Sequence, residues 1–305
     1  MTAILNPDNR LFILARLGRR QPSALTAIAI VLVMLALVLI PGQMLARLVV
    51  PLIFADGIQS ITGSIVQNIT GFLPIYLGMW VWLRFSSKRP FWSLGFETRD
   101  ALRHILGGAL VAGLMIAITA GLAILSGAVP GKSETSGLTA LGIGLLSLVA
   151  YAVQGPAEEV LFRGWLLPVI GSRYRPWIGV LVSAAVFGLA HTASSGITLL
   201  AFLNLFLFGI FAAVYALAEG GLWGICAWHA VWNWAMGDLL GFALDGTAHS
   251  GLLISIRAPG PDIVTGGAFG LEGGVAATAV FLIAIGIIAA RSRRVELPDS
   301  DHLGV

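Results

Sequence analysis

One stretch decides how the rest of this chain must fold: Gln154–Trp165, with the sequence QGPAEEVLFRGW. It carries two adjacent glutamates and an arginine, although the flanking residues 138–153 and 164–170 contain no charged side chain. Placing one charged side chain at the centre of a bilayer costs about 2.5–3.5 kcal/mol. Three such groups within six residues of an apolar segment therefore indicate a functional site.

Helical geometry divides these charges into two sets. Glu159 and Arg163 are four residues apart, so in a helix they share one face and can pair. Glu158 points about 100° away from Glu159, so it is not part of this pair and can take part in another interaction. We therefore interpret Glu159 and Arg163 as a buried structural pair and Glu158 as the reactive group.

The composition is that of a membrane protein. Of the 305 residues, 57% are hydrophobic and only 11% are charged, and the mean hydropathy is +0.91, which excludes an ordinary soluble fold. The 38 glycines suit close helix packing in lipid. The single cysteine, Cys226, excludes an intrachain disulfide and a cysteine metal cluster. A net charge of +3, scattered over segment ends, indicates membrane lipids and not nucleic acid as the partner.

Apolar periodicity and length predict an all-α, polytopic membrane helix bundle with about eight transmembrane helices. The predicted spans are Ser23–Ile40, Ile61–Leu83, Ile105–Val129, Leu138 to just before Ser172, Trp177–His191, Ile197–Leu217, Leu222 to about Leu240, and Val275–Ala290. The first span is too long for the core of a secretory signal, so we expect it to be retained.

The basic residues give an independent test of this count. With the N-terminus in the cytoplasm, fifteen of the eighteen lysines and arginines fall on the inside, and only Arg47, Lys132 and Arg257 fall outside. This is a strong positive-inside bias. We therefore expect an integral protein of a bacterial inner (cytoplasmic) membrane, with both termini in the cytoplasm.

Other polar side chains also lie within apolar spans. His191 ends the fifth span, and His229 and Asn233 lie four residues apart on one face of the seventh. The helical rise places Glu158, His191 and His229 at overlapping depths, which predicts an active site between helices four, five and seven. Asn204, in the sixth span, is interpreted as a residue that joins two helices by hydrogen bonds.

These residues resemble the motifs of a known family. The patterns E-E-x-x-x-R at Glu158–Arg163, F-x-x-x-H at Phe187–His191 and H-x-x-x-N at His229–Asn233 occur in order. They are similar to those of the CPBP family of intramembrane proteases, which comprises type II CAAX prenyl endopeptidases and Abi-like bacteriocin-processing or immunity proteins. The resemblance divides the chain into a cytoplasmic N-terminal segment (1–22), a transmembrane protease domain (23–290, motif core 138–240) and a cytoplasmic tail (291–305).

The resemblance implies an intramembrane endopeptidase that acts on a membrane-associated peptide or a lipid-modified protein. Glu158 and His191 would activate a water molecule, His229 and Asn233 would stabilise the oxyanion, and Glu159 and Arg163 would support the site from behind. In this version no cofactor is needed.

Three alternatives stay open at this point. Glu158, His191 and His229 could instead hold a catalytic zinc ion, which takes three protein ligands and a water, with Glu159 as the base. A proton-coupled transporter would also place Glu and His in the membrane, although no inverted repeat is visible. A non-catalytic protein for bacteriocin immunity or partner binding is the third. If the protein is a protease, we expect a polar, cytoplasm-facing cavity, with water entering from the side of the Ser172–Pro176 loop and cleavage near the inner leaflet. The expected lining is Glu158, His191, His229 and Asn233.

Overall fold

The computed structural model describes residues 3–53, 61–133, 137–249, 251–257 and 260–294, so the predicted tail beyond residue 294 lies outside the described residues. The described part is an all-α helix bundle, as predicted. Its α-helices are α1 (Arg10–Arg16), α2 (Ala24–Met34), α3 (Ile40–Ile53), α4 (Ile61–Val81), α5 (Ala101–Leu125), α6 (Gly137–Glu159), α7 (Leu167–Arg173), α8 (Pro176–Ala190), α9 (Leu199–Glu219), α10 (Trp223–Trp234), α11 (Asp262–Thr265) and α12 (Val275–Arg294).

Shorter elements complete the description. Four of the described segments are π-helical: Leu35–Leu39, Trp82–Ser87, Val160–Leu166 and Ala235–Leu239. Single 3₁₀ turns lie at Ala3–Leu5, Phe91–Leu94, Gly267–Phe269 and Leu271–Gly273. One antiparallel pair joins β1 (Val129–Lys132) to β2 (Ile254–Arg257), with Val129 opposite Arg257.

A helix lies at each of the eight predicted spans, and the bundle is that of an integral membrane protein. Within the described part of the chain, four helical stretches are long and apolar enough to cross a bilayer: Ala101–Leu125, Gly137–Arg173, Leu199–Glu219 and Val275–Ser292. Ala24–Met34, Ile40–Ile53 and Pro176–Ala190 are shorter apolar helices. The predicted end of the third span at Val129 is wrong, because the chain turns at Gly127 (φ 107°) and Val129 begins β1.

The ends of α8 and α9 determine where His191 lies. Pro176 starts α8 with a backbone angle that suits the first helical turn. The helix ends at Ala190, so His191 lies one helix length away from the Ser172–Pro176 turn. Thr198 then starts α9, because its hydroxyl accepts a hydrogen bond from the Ala201 backbone N–H.

The core of the bundle forms where α10 packs between α5 and α6. Glycine allows both contacts. A Cβ atom at Gly155 on α6 would lie 3.1 Å from the His229 ring and from the Ala230 nitrogen. A Cβ atom at Gly108 on α5 would overlap the Gly224 carbonyl of α10. Small residues at these two crossings therefore bring α10 close enough to α6 for their polar side chains to meet.

Asn204 forms hydrogen bonds between segments, as predicted, although its partners lie mainly in a loop. Its side-chain amide donates to the carbonyl oxygens of Glu272 and Gly274, and its Oδ1 accepts from the Thr278 hydroxyl. Asn204 therefore ties α9 to the segment that leads into α12.

The Gly108 crossing generates a stability prediction. Gly108→Ala inserts a methyl group against backbone that cannot move aside, and we expect a loss of about 1–3 kcal/mol in the free energy of unfolding. Gly107→Ala is the matched control, since a Cβ atom there meets nothing within 4 Å. Thermal unfolding of both variants in detergent measures the difference. Equal melting temperatures for the two variants would contradict the packing described above.

Candidate active site

The first part of the site is a buried ion cluster around Glu159. Its Oε1 lies 3.2 Å from Arg163 Nη1, the pair predicted from the four-residue spacing, and 2.8 Å from His229 Nδ1. The side chains of Glu159 and Arg163 have no exposed surface, and that of His229 has 3%. Because a carboxylate can only accept, both neighbours donate to it. Glu159 therefore joins α6, the π segment that follows it, and α10.

Aromatic rings surround the guanidinium of Arg163. Its central carbon lies 4.4 Å from the ring centroid of Phe187, 5.7 Å from that of Phe162 and 5.8 Å from that of Phe208. Among the described side chains, Arg163 Nε and Nη2 and Glu159 Oε2 lack a hydrogen-bond partner. Cation–π attraction to the ring faces offsets part of that cost.

The second part is a chain of hydrogen bonds that ends on Glu158. Asn233 Nδ2 donates to Gln154 Oε1 at 2.9 Å, and Gln154 Nε2 donates to Glu158 Oε1 at 2.7 Å. Asn233 thereby fixes which end of the Gln154 amide faces the glutamate. Among the described residues, no hydrogen-bond donor contacts the other carboxylate oxygen, Glu158 Oε2.

That free oxygen faces His191. The distance from Glu158 Oε2 to His191 Nε2 is 3.9 Å, too long for a direct hydrogen bond. His191 Nδ1 lies 2.9 Å from the Phe187 carbonyl oxygen, which can only accept, so Nδ1 carries the proton and Nε2 keeps its lone pair in the neutral ring. Two acceptors therefore face one another, and a water molecule that donates to both fits the chemistry of this gap.

Glu158 and His191 both line a cavity of about 940 Å³. Gln154 and Tyr151 of α6 line it as well, together with residues from α3, from the first half of α4 and from the segment after α10. His229 and Asn233 are not among its lining residues and are 2% and 3% exposed. His229 is hydrogen-bonded to Glu159, and Asn233 is hydrogen-bonded to Gln154, behind the cavity wall.

The cavity lies at the end of the bundle opposite to the one expected. It is lined by His191 at the far end of α8, by Arg47 of α3 and by Leu244–His249 after α10. The Ser172–Pro176 loop lies at the other end, about 22 Å away on helical rise. The expectations that the cavity opens toward that loop and that His229 and Asn233 line it are therefore wrong. Residue counts to the nearest loop could not show which end of the bundle is closed by packing.

The cavity residues that were missed from the sequence include Gln154, Asp238 and His249. The spacing of Gln154 and Glu158, four residues apart before a helical arginine, was a visible signal. Asp238 lies in the π segment Ala235–Leu239, where hydrogen bonds span five residues, so a period of 3.6 misplaces it. His249 lies in an irregular loop and had no periodic signal.

The zinc ligand set does not fit this geometry. His229 directs Nδ1 to Glu159 and lies behind the cavity wall, so it does not join Glu158 and His191 around one point. Among the residues that the structure describes, no group of three or more His, Cys, Asp or Glu side chains could hold a metal ion. We therefore derive no step through a metal.

Comparison with known proteins identifies the region that contains these groups. The sequence model of the type II CAAX prenyl endopeptidase Rce1-like family matches residues 140–235. Over these residues, called the Rce1-like region below, the chain is similar to that family. This Rce1-like region contains all six residues singled out by the motifs, from Glu158 to Asn233, and ends before Asp238 and His249.

The match confirms the family resemblance seen in the motifs, because it is to the model of type II CAAX prenyl endopeptidases. No curated protein and no solved structure matches the chain significantly.

Proposed function

We propose that this protein is an intramembrane endopeptidase in which Glu158 and His191 hold and deprotonate the attacking water. The observation that supports it is the pair of lone-pair-bearing atoms, Glu158 Oε2 and His191 Nε2, 3.9 Å apart on the wall of one cavity. A water that donates both hydrogens to them has its own lone pairs directed away from both acceptors, toward a bound peptide. Proton transfer to a positioned base contributes about 10²–10⁴-fold to such reactions.

The oxyanion needs a donor beside Glu158, and Gln154 is the best placed. Its Nε2 uses one hydrogen on Glu158 Oε1 and keeps a second, in the cavity wall. Asn233 acts through Gln154 by fixing the amide orientation, and His229 acts through Glu159. We therefore assign Asn233 and His229 positioning roles, instead of the direct oxyanion contact that the family resemblance implies.

The substrate class follows from the family and the cavity. A volume of about 940 Å³ accommodates several peptide residues, and large pockets of this kind bury most of a bound ligand. The Rce1-like family points to a membrane-associated or lipid-modified peptide. No protein cofactor is required by this mechanism. Stoichiometric zinc whose removal and return switched activity off and on would instead favour the metal-dependent alternative.

The distribution of basic residues supports one orientation of the site in the membrane. The basic residues of the N-terminal segment, of the 84–103 loop and of the Ser172–Pro176 loop gather at the end away from the cavity, whereas Arg47 lies at the cavity end. By the positive-inside rule the basic end faces the cytoplasm. With both termini there, the cavity opens on the outer side of a bacterial inner membrane, and the peptide bond is cleaved near the outer leaflet.

We expect His191→Ala to lower kcat by about 10²–10⁴-fold, because the water loses one of its two acceptors. The measurement is cleavage of a membrane-associated peptide library by purified protein in lipid nanodiscs, read by mass spectrometry. His104→Ala is the matched control, since His104 lies at the opposite end of the bundle and contacts Glu219 at 3.6 Å. A full rate in His191→Ala would contradict the proposal, and a folded wild-type protein that cleaves no peptide would favour the non-catalytic alternative.

The orientation has its own test. In a Cys226→Ser background, we expect a cysteine at Thr247 to react with membrane-impermeant thiol reagents from the outer face of intact cells. A cysteine at Lys88, on the basic loop, should react only after the membrane is opened. Labelling with the reverse pattern would place the cavity on the cytoplasmic side.

A further inference from the structure

A second acid–base pair faces the same cavity and lies outside the family motifs. His249 Nδ1 lies 3.0 Å from Asp238 Oδ1, and both residues line the cavity together with Glu158 and His191. The Asp238 side chain is 2% exposed and that of His249 is 12% exposed. A buried carboxylate that is hydrogen-bonded to one nitrogen of a partly exposed histidine fixes the orientation of the ring.

Local backbone structure builds this pair. The π segment Ala235–Leu239 carries Asp238, and the residue before it, Gly237, has no side chain to keep the ring away. A Cβ atom at Gly237 would lie 3.2 Å from Cγ and Nδ1 of His249. The loop is held by a tight turn in which the Leu244 and Thr247 backbones bond to each other, and Leu252 N donates to the Asp238 carbonyl.

The orientation of the ring decides which nitrogen can act. Asp238 takes the hydrogen on Nδ1, so Nε2 is the nitrogen that is free to meet a substrate. On the other part of the wall, Glu158 Oε2 and neutral His191 Nε2 are both acceptors. The described cavity therefore holds a second carboxylate–histidine pair, and Nε2 of His249 can carry a proton between water and a substrate.

We propose that His249 is the proton donor to the leaving amine of the cleaved peptide, with Asp238 as its positioning residue. This inference rests on the proposed endopeptidase function. A water hydrogen passes to Glu158 as the water oxygen bonds to the peptide carbonyl carbon, and this proton then moves through water to Nε2 of His249. The C–N bond breaks, its electron pair goes to nitrogen, and nitrogen takes that proton from Nε2. One water is consumed, and no other reagent is needed.

The need for such a donor comes from the leaving group. An amine expelled without a proton is a far stronger base than an alkoxide, so amide cleavage depends on a general acid far more than ester cleavage does. This contrast separates a proton donor from a residue that only supports the loop. A structural role would affect both kinds of bond equally.

The experiment uses a peptide that the wild-type protein cleaves and its depsipeptide, with an ester oxygen replacing the scissile nitrogen. We expect His249→Gln to lower kcat on the amide by about 10²-fold or more and to change kcat on the ester less than about 3-fold. Asp238→Asn should lower the amide rate in the same direction by a smaller factor. KM should change little in either variant, because the donor acts on the leaving atom.

Controls separate this inference from its premise. His104→Ala, at the opposite end of the bundle beside Glu219, should leave both rates unchanged, and the melting temperature of His249→Gln should stay at the wild-type value. Equal losses on amide and ester, or no loss on the amide, would overturn the role of His249 while leaving the endopeptidase intact. A wild-type protein that cleaves neither peptide would overturn the endopeptidase function itself, and the role of His249 with it.

Discussion

The structure of the site depends on the burial of one carboxylate, Glu159, between a guanidinium and an imidazole. With no exposed surface, this charge is tolerated only because Arg163 and His229 both donate to it. Removing one partner from a buried pair typically costs about 3–5 kcal/mol, because the other charge is left uncompensated. The cluster also fixes Arg163 against the ring of Phe187, so α6, α8 and α10 are held in one arrangement.

The position of Glu159 determines the direction in which the neighbouring Glu158 points. Since successive helical residues point about 100° apart, holding Glu159 on one side turns Glu158 toward the cavity. Gln154 then occupies one oxygen of Glu158 and leaves the other opposite His191. The two adjacent glutamates therefore have different roles. Glu159 is paired within the protein interior, whereas Glu158 lines a cavity that can admit water and substrate.

How much could be predicted from the sequence depended on the range of the interaction. Span positions and the Glu159–Arg163 pair follow from local periodicity, and both were predicted. The partner of His229 could not be predicted, because it depends on the face that α10 turns to α6, which Gly155 and Gly108 determine through close approach. Asp238 and His249 meet only because a π segment breaks the 3.6-residue period. The end of the bundle at which the cavity opens depends on packing among distant segments.

The central claim is this division between the two glutamates, and paired isosteric substitutions measure it most directly. Glu158→Gln and Glu159→Gln should be compared in one preparation for both melting temperature and peptide cleavage. The account predicts that Glu158→Gln unfolds close to the wild-type temperature and does not cleave, whereas Glu159→Gln unfolds at a markedly lower temperature. Cleavage at the wild-type rate by Glu158→Gln, or an unchanged melting temperature for Glu159→Gln, would contradict it.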